Sequence, residues 1–443
     1  MTECSTDAID FTGLDRRKVI ADFNGGRLTS DAGIFLLREV DRQLGLIDSI
    51  NECLPDPRDP RWTIHEQRSM LAQRIFSIAL GYEDLNDQQT MREDPALQTA
   101  VDCEPEEDSP LASPPTLCRL ENRVNHKSSV RMSKILVDTF LTSHDKPPKE
   151  ITLDFDATDD PVHGKQEGRF FQGYYKHYCF LPLYVFCGEH LLCAYLRPSN
   201  IDAAKHSRAI TKLLVEYIRQ QWPDVKITIR GDSGFCRWRL MRWCEKHGVS
   251  YIFGIARNPV LERRIDRLMN KAETAFEATS EKQRLFGETK YAAETWDHKR
   301  RVIMKAERLL AGPNTRFIVT NLQGRPQALY DKQYVKRGDM ENRIKEQQLM
   351  LFADRTSCHD FEANQFRLLL SSFAYVLVQH LRQDHLAGTE LECAQVSTIR
   401  LKLFKVAARV IVSVRRVVFH LASSYPYQAI FRRIAKSVLL RPG

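Results

Sequence analysis

The stretch Ile151-Thr-Leu-Asp154-Phe-Asp156-Ala-Thr158 decides how the chain is read, because Ile151, Leu153 and Phe155 alternate with Thr152, Asp154 and Asp156. Alternation at a period of two is the pattern of a strand with one apolar and one polar face. The polar face ends in carboxylates. Downstream, Tyr174 to Cys187 is a long aromatic and β-branched run, Gly188-Glu-His190 is turn-like, and Leu191 to Leu196 returns as a third strand. A helix over 203–220 follows, then a short strand Lys226-Ile-Thr-Ile-Arg230 closed by Gly231-Asp232-Ser-Gly234, a helix over 237–247 and a strand over 250–255. The order is βββαβαβ.

That order predicts an α/β fold with a ribonuclease-H-like mixed sheet and helices on both of its faces. A parallel crossover can set strand one beside strand four with their carboxyl ends on one edge, which would bring Asp156 and Asp232 together. Asp154 shares the polar face of strand one and competes with Asp156. A third acid lies in Tyr334-Val-Lys-Arg337-Gly-Asp-Met-Glu341-Asn-Arg-Ile-Lys345. At helical spacing, positions 334, 337, 341, 345 and 348 fall on one face. Glu341 could then hold a divalent cation while Arg337 and Lys345 meet phosphate oxygens, although a solvated helix with i,i+4 ion pairs has the same pattern. Three carboxylates suit two Mg²⁺ or Mn²⁺ ions, because hard cations take oxygen ligands and can stabilise both oxygens of an in-line displacement at phosphorus. His163-Gly-Lys165-Gln166 could reach DNA or support a ligand.

Around this core the pattern changes. Residues 1–145 read as a helical N-terminal domain for DNA binding or dimer formation, with a helix opening at Ser30-Asp-Ala-Gly33 and another over 67–80. The catalytic core spans 146–257 and 331–385, interrupted at 258–330 by a β-rich insertion with strands expected at 291–295, 301–306 and 316–320. The apolar stretch Phe366 to Leu381 contains Arg367, Gln379 and His380, so it reads as a buried core helix rather than a membrane span. Residues 386–443 read as a basic helical tail with Lys402, Lys405, Arg409 and Arg416 on one face.

The totals permit a polyanionic partner. There are 65 Lys and Arg against 57 Asp and Glu, a net charge of +8. From Val396 to the end there are ten basic residues and no acid, which concentrates the excess where it can meet phosphates. Eleven cysteines form neither a C-x-x-C pair nor a zinc-spaced cluster and read as reduced thiols. Met1-Thr-Glu-Cys-Ser-Thr-Asp-Ala8 is polar and acidic, unlike a secretory leader.

Six motifs together resemble the DDE transposases of bacterial insertion sequences, in the insertion-sequence 1380 branch with an inserted β-domain and a Tyr-x-x-Arg-x-x-x-Glu signature. They are Ser30-Asp-Ala-Gly33, Gly81-Tyr-Glu-Asp-Leu-Asn86, Leu153-Asp-Phe-Asp156-Ala-Thr158, His163-Gly-Lys-Gln166, Arg230-Gly-Asp232-Ser-Gly-Phe235 and Arg337-Gly-Asp-Met-Glu341-Asn. The resemblance implies cleavage of the element's terminal inverted repeats and joining to target DNA with two Mg²⁺ (or Mn²⁺) ions, by a homo-oligomer in the bacterial cytoplasm, associated with the nucleoid. It implies Asp156, Asp232 and Glu341 as metal ligands and catalytic residues. Tyr334 and Arg337 become contacts to the DNA end, joined as candidate DNA contacts by Lys345, His163, Lys165, Lys402, Lys405 and Arg409. The alternatives are a structure-specific nuclease of the same fold and an inactive DNA-binding descendant. One departure is Gln348, where the related signature has lysine.

Overall fold

The computed structural model describes residues 8–440, and it divides into two units, Glu121–Val376 and Met1–Leu120 with Leu377–Gly443. The polar N-terminal heptapeptide lies outside the described residues. No helix among the described residues is long and apolar enough to cross a membrane.

In the unit Glu121–Val376 the alternating stretch forms the strand Glu150–Ala157 near the middle of an eight-stranded sheet. From edge to edge the strands are Gln283–Tyr291, Arg300–Leu309, Gly312–Thr320, Ser250–Ile255, Lys226–Gly231, Glu150–Ala157, Leu183–Cys187 and His190–Tyr195. Glu150–Ala157, Lys226–Gly231 and Ser250–Ile255 run parallel, and the outer pairings are antiparallel. Leu153, Phe155, Ile227 and Ile229 are buried in one cluster with Leu214, Val215 and Ile218 of helix Ser207–Gln221, Leu240 and Met241 of helix Trp238–Lys246, and Leu261 and Ile265 of helix Pro259–Thr279. Burying each such side chain contributes about 1.5–3 kcal/mol. On a second face Ile252, Ile303 and Ile318 pack with Leu329 and Tyr330, and Phe186 meets Tyr375 of the buried helix Phe361–His380. The mixed α/β architecture is as expected.

Two readings of this unit need correction. Tyr174 to Cys187 is not one strand: His177–Phe180 joins Phe170–Gln172 and Asp160–Pro161 in a separate three-stranded sheet, and only Leu183–Cys187 enters the main sheet. Pro182 lies at the break, where a residue without an N–H cannot extend a ladder. The strands of the 258–330 insertion continue the main sheet, with Gly312–Thr320 paired to Ser250–Ile255. The segment expected to be a strand at 291–295 follows the strand's end at Tyr291.

In the other unit the helices Ile34–Leu44 and Gln67–Leu80 form where expected. The basic helical tail does not. Ala408–Ser413 and Arg416–Leu421 form a hairpin, the first of its strands pairs with Leu28–Thr29, and helix returns only at Gln428–Leu439. Val410, Ile411, Val412, Val417 and Val418 are β-branched and favour a pleated surface. Burial of Ala408 and Val410 alternates with exposure of Arg409 and Ile411, a period of two.

Candidate active site

Parallel pairing sets Arg230 opposite Asp154 and Gly231 opposite Phe155, so the two strands end side by side, with Asp156 next to the last residue of its strand and Asp232 just past the end of the other. Asp156 is part-buried, and its Oδ1 accepts a hydrogen bond from the Ala157 N–H at 2.9 Å. Burial, then the Asp232 carboxylate and more weakly Glu341, push its pKa up to about 7 against the pull of Arg337. Asp232 begins the tight turn Ser233–Phe235 and accepts from the Gly234 N–H at 2.8 Å. Phe235 is buried beneath it, 6.0 Å from Phe155.

Asp154 is engaged elsewhere. Its two carboxylate oxygens accept a forked pair of hydrogen bonds from Arg230, through Nε and, at 2.7 Å, Nη2. Both side chains are more than nine-tenths buried. The Arg230 fork also donates to the Gln333 carbonyl and so ties the sheet to the helix that carries the third acid. Sequence reasoning missed this role for Arg230; the signal lay in the register, which pairs residues two positions before Asp156 and Asp232.

That helix is composite. Leu329–Tyr334 and Glu346–Met350 are π-helical turns, Val335–Arg337 is a 3₁₀ turn, and Gly338–Lys345 is α-helical. Such changes of winding recur at functional sites. Arg337 Nη2 lies 2.7 Å from Glu341 Oε1, and its Nη1 lies 3.9 Å from Asp156 Oδ2. The guanidinium therefore spans the gap between two of the acids. The Tyr334 hydroxyl packs at Gly254: a Cβ there would come within 2.6 Å of it, 3.0 Å of the Ser233 nitrogen and 3.3 Å of the Asp232 carbonyl carbon. Gly254→Ala should push both the hydroxyl and the Asp232 turn outward. We expect activity to fall at least about tenfold, with a stability loss of roughly 1–3 kcal/mol, read by comparing turnover with thermal melting.

The other expected contacts separate into two groups. Lys345, His163 and Lys165 are exposed. Gln348 instead donates from Nε2 to the Asp159 carbonyl at 2.9 Å, a neutral tie to the loop after the first core strand. In the unit of residues 1–120 and 377–443, Lys402 lies 3.8 Å from Glu390 and 4.7 Å from the Tyr427 ring, and Arg409 is exposed. Lys405 is paired within its own unit: its Nζ is 2.6 Å from Oδ1 of fully buried Asp31 and 4.2 Å from the Tyr82 ring, whose hydroxyl donates to Asp31 at 2.8 Å. The helical face predicted for it does not exist, and the lysine neutralises a buried carboxylate. Lys405→Met should cost about 3 kcal/mol by leaving that charge unpaired, measurable as a lower urea midpoint.

Among the described residues no three His, Cys, Asp or Glu side chains are close enough to hold a metal ion as they stand. The Asp232 and Glu341 carboxylates are nonetheless near enough to raise the pKa of Asp156. All are hard oxygen donors, with Arg337 as the local counter-charge. The donor set fits Mg²⁺ or Mn²⁺.

A family model described as transposase DDE domain group 1 matches residues 11–441. No curated protein matches the chain. Among solved structures, the chain is similar to a piggyBac transposase synaptic complex with hairpin DNA, at 10% identity and a TM-score of 0.42, over 94% of this chain and 83% of that one.

Proposed function

The chain belongs to the transposase DDE domain group 1 family, and from that premise we propose that it cuts the ends of its element and joins them to target DNA within a ribonuclease-H-like core. The observation that carries this reading is the convergence of Asp156 and Asp232, at the ends of adjacent parallel strands, with Glu341 across the Arg337 bridge. The six motifs favour the insertion-sequence 1380 branch.

In this reading Asp156, Asp232 and Glu341 would hold two divalent cations. When bound, these supply Lewis acidity to the attacking and leaving oxygens of a phosphodiester. The remaining steps fall to the chain. Arg337, which faces Asp156 and Glu341, would donate to a non-bridging phosphate oxygen. Lys345, exposed one turn beyond Glu341, adds a second positive charge, and exposed His163 and Lys165 flank the entering strand. Tyr334 buttresses the Asp232 turn and holds the end in register. Water is the first nucleophile and the freed 3′-hydroxyl the second, each attacking phosphorus in line, so no covalent protein intermediate is required. Terminal repeats and target DNA are the partners, and a homo-oligomer holds paired ends.

The test is incubation of the purified protein with labelled duplexes carrying the ends of its encoding element, with Mg²⁺, with Mn²⁺ and after chelation. Cleavage at the ends should require either ion, and the cut strands should appear joined to target DNA. Cleavage without joining would identify a nuclease. Specific binding without cleavage would identify an inactive descendant.

A further inference from the structure

The N-terminal hairpin has almost no support from its own unit. Among the described residues, Ile9–Leu14 and Arg17–Ala21 pair only with each other, and every residue from Ala8 to Leu28 is exposed. Two strands alone are marginally stable in water, so such an element calls for a partner surface. Its register pairs Ile9 with Ala21 and Phe11 with Val19, which puts these four on one face. Phe23, 91% exposed, follows immediately. The turn at Asp15-Arg16 and the start of the second strand, Arg17-Lys18, carry three cations, and among the described residues no ion pair joins them to a carboxylate.

The same unit presents a surface of matching character. Trp62 and Ile64, 83% and 78% exposed, lead into helix Gln67–Leu80. The first turn of that helix touches the start of the acidic segment: Arg68 Nη1 is 3.4 Å from Asp102, and Ser69 Oγ is 3.8 Å from the Cys103 sulfur. Glu104, Glu106, Glu107 and Asp108 therefore emerge beside the same helix end, all exposed. Among the described residues, Glu106 alone of these four has a cationic partner, Arg27 at 3.2 Å. Glu104 is held above its usual range by the hydrogen bond and charge of Glu107, so this acidic knob is short of positive charge.

We propose that the hairpin is an exchange arm: its apolar face and basic turn dock on the Trp62–Ile64 and Glu104–Asp108 surface of a second copy of this chain, and the partner's arm docks reciprocally. A two-fold arrangement satisfies both surfaces twice with one contact geometry. DNA suits this arm less well, because a sugar-phosphate backbone offers no cover for Ile9, Phe11, Val19 and Phe23. The contact is independent of metal and of cleavage.

Sedimentation of the full-length protein without DNA tests it. Arg16→Glu with Arg17→Glu should weaken self-association about tenfold or more, as should Glu104→Lys with Glu107→Lys, since each reversal replaces several attractions by repulsions. All four changes together should restore association to within about threefold of the parent. These positions are exposed, so unchanged melting shows that each variant folds. A monomeric parent, an unaffected reversal, or no restoration in the fourfold variant overturns the proposal. It is also overturned if reversing Arg16 and Arg17 weakens binding to duplex DNA while self-association is unchanged, because the hairpin is then a DNA-binding ribbon.

Discussion

Asp156→Asn is expected to remove end cleavage, by at least about three orders of magnitude or roughly 4 kcal/mol of transition-state stabilisation, while the protein remains folded and still binds element ends. The amide keeps the shape and the hydrogen bond from Ala157 but removes the charge. The same substitution makes a second, opposite prediction for stability. Burial and the Asp232 charge raise the Asp156 pKa from 3.8 to about 7 in the folded chain. Between those two pH values the folded state binds more protons than the unfolded one, so this group's contribution to stability falls as pH rises through that window. Asparagine carries no such burden. In the absence of metal the variant's melting advantage over the parent should therefore grow between pH 5 and pH 8. The gain should be on the order of 1 kcal/mol once solvent screening of a side chain that is 20% exposed is allowed for. Asp154→Asn, two residues away, is the contrasting case. It leaves the Arg230 guanidinium buried without its carboxylate and should destabilise the fold by about 3 kcal/mol at any pH above the acid range. A loss of cleavage in Asp156→Asn accompanied by lower melting at pH 8 would instead assign Asp156 a structural role.

The contrast between these neighbouring carboxylates also marks how far sequence carries. Alternation alone put Asp154 and Asp156 on one face, and the parallel crossover rule put Asp156 near Asp232, because both depend on local period and handedness. The choice between Asp154 and Asp156 depends on register, since only the pairing of Arg230 with Asp154 shows which carboxylate is already occupied. The tail failed for a related reason. Lys402, Lys405, Arg409 and Arg416 satisfy a helical spacing, while Ala408 and Val410 satisfy a strand spacing, and the two periods cannot be separated over so short a segment. The presence of a partner strand, Leu28–Thr29, decides it, and that partner lies nearly 380 residues away in sequence. The helix bearing Glu341 was readable as helix but not as a composite of three windings, because π and 3₁₀ turns have no residue code of their own.

The partnership across that distance underlies the other large expected effect. Gly33→Ala should destabilise the unit formed by residues 1–120 and 377–443 by about 3–5 kcal/mol, enough to unfold it at 37 °C in a protein of ordinary stability. Gly33 closes the Ser30-Asp-Ala-Gly33 motif, and its N–H donates to the Phe404 carbonyl at 3.1 Å, as the Ala32 N–H does to the Val406 carbonyl at 3.1 Å. A Cβ on Gly33 would lie 1.8 Å from the Leu403 carbonyl oxygen and 2.5 Å from the Phe404 Cα. Both are backbone atoms, so no rotamer change relieves the clash, and the two segments must separate. Separation breaks both hydrogen bonds and draws Lys405 away from Asp31. The motif therefore acts as a backbone seam, with Tyr82 of Gly81-Tyr-Glu-Asp-Leu-Asn86 locking the same carboxylate. Because the seam lies in a different unit from Asp156, its failure should be distinguishable from loss of chemistry. Hydrogen exchange should rise first in the amides of 28–44 and 400–421, while the strands Glu150–Ala157 and Lys226–Gly231 keep their protection. Exchange that rises equally in both units would mean that the chain unfolds as one cooperative body and that the seam governs the stability of the whole.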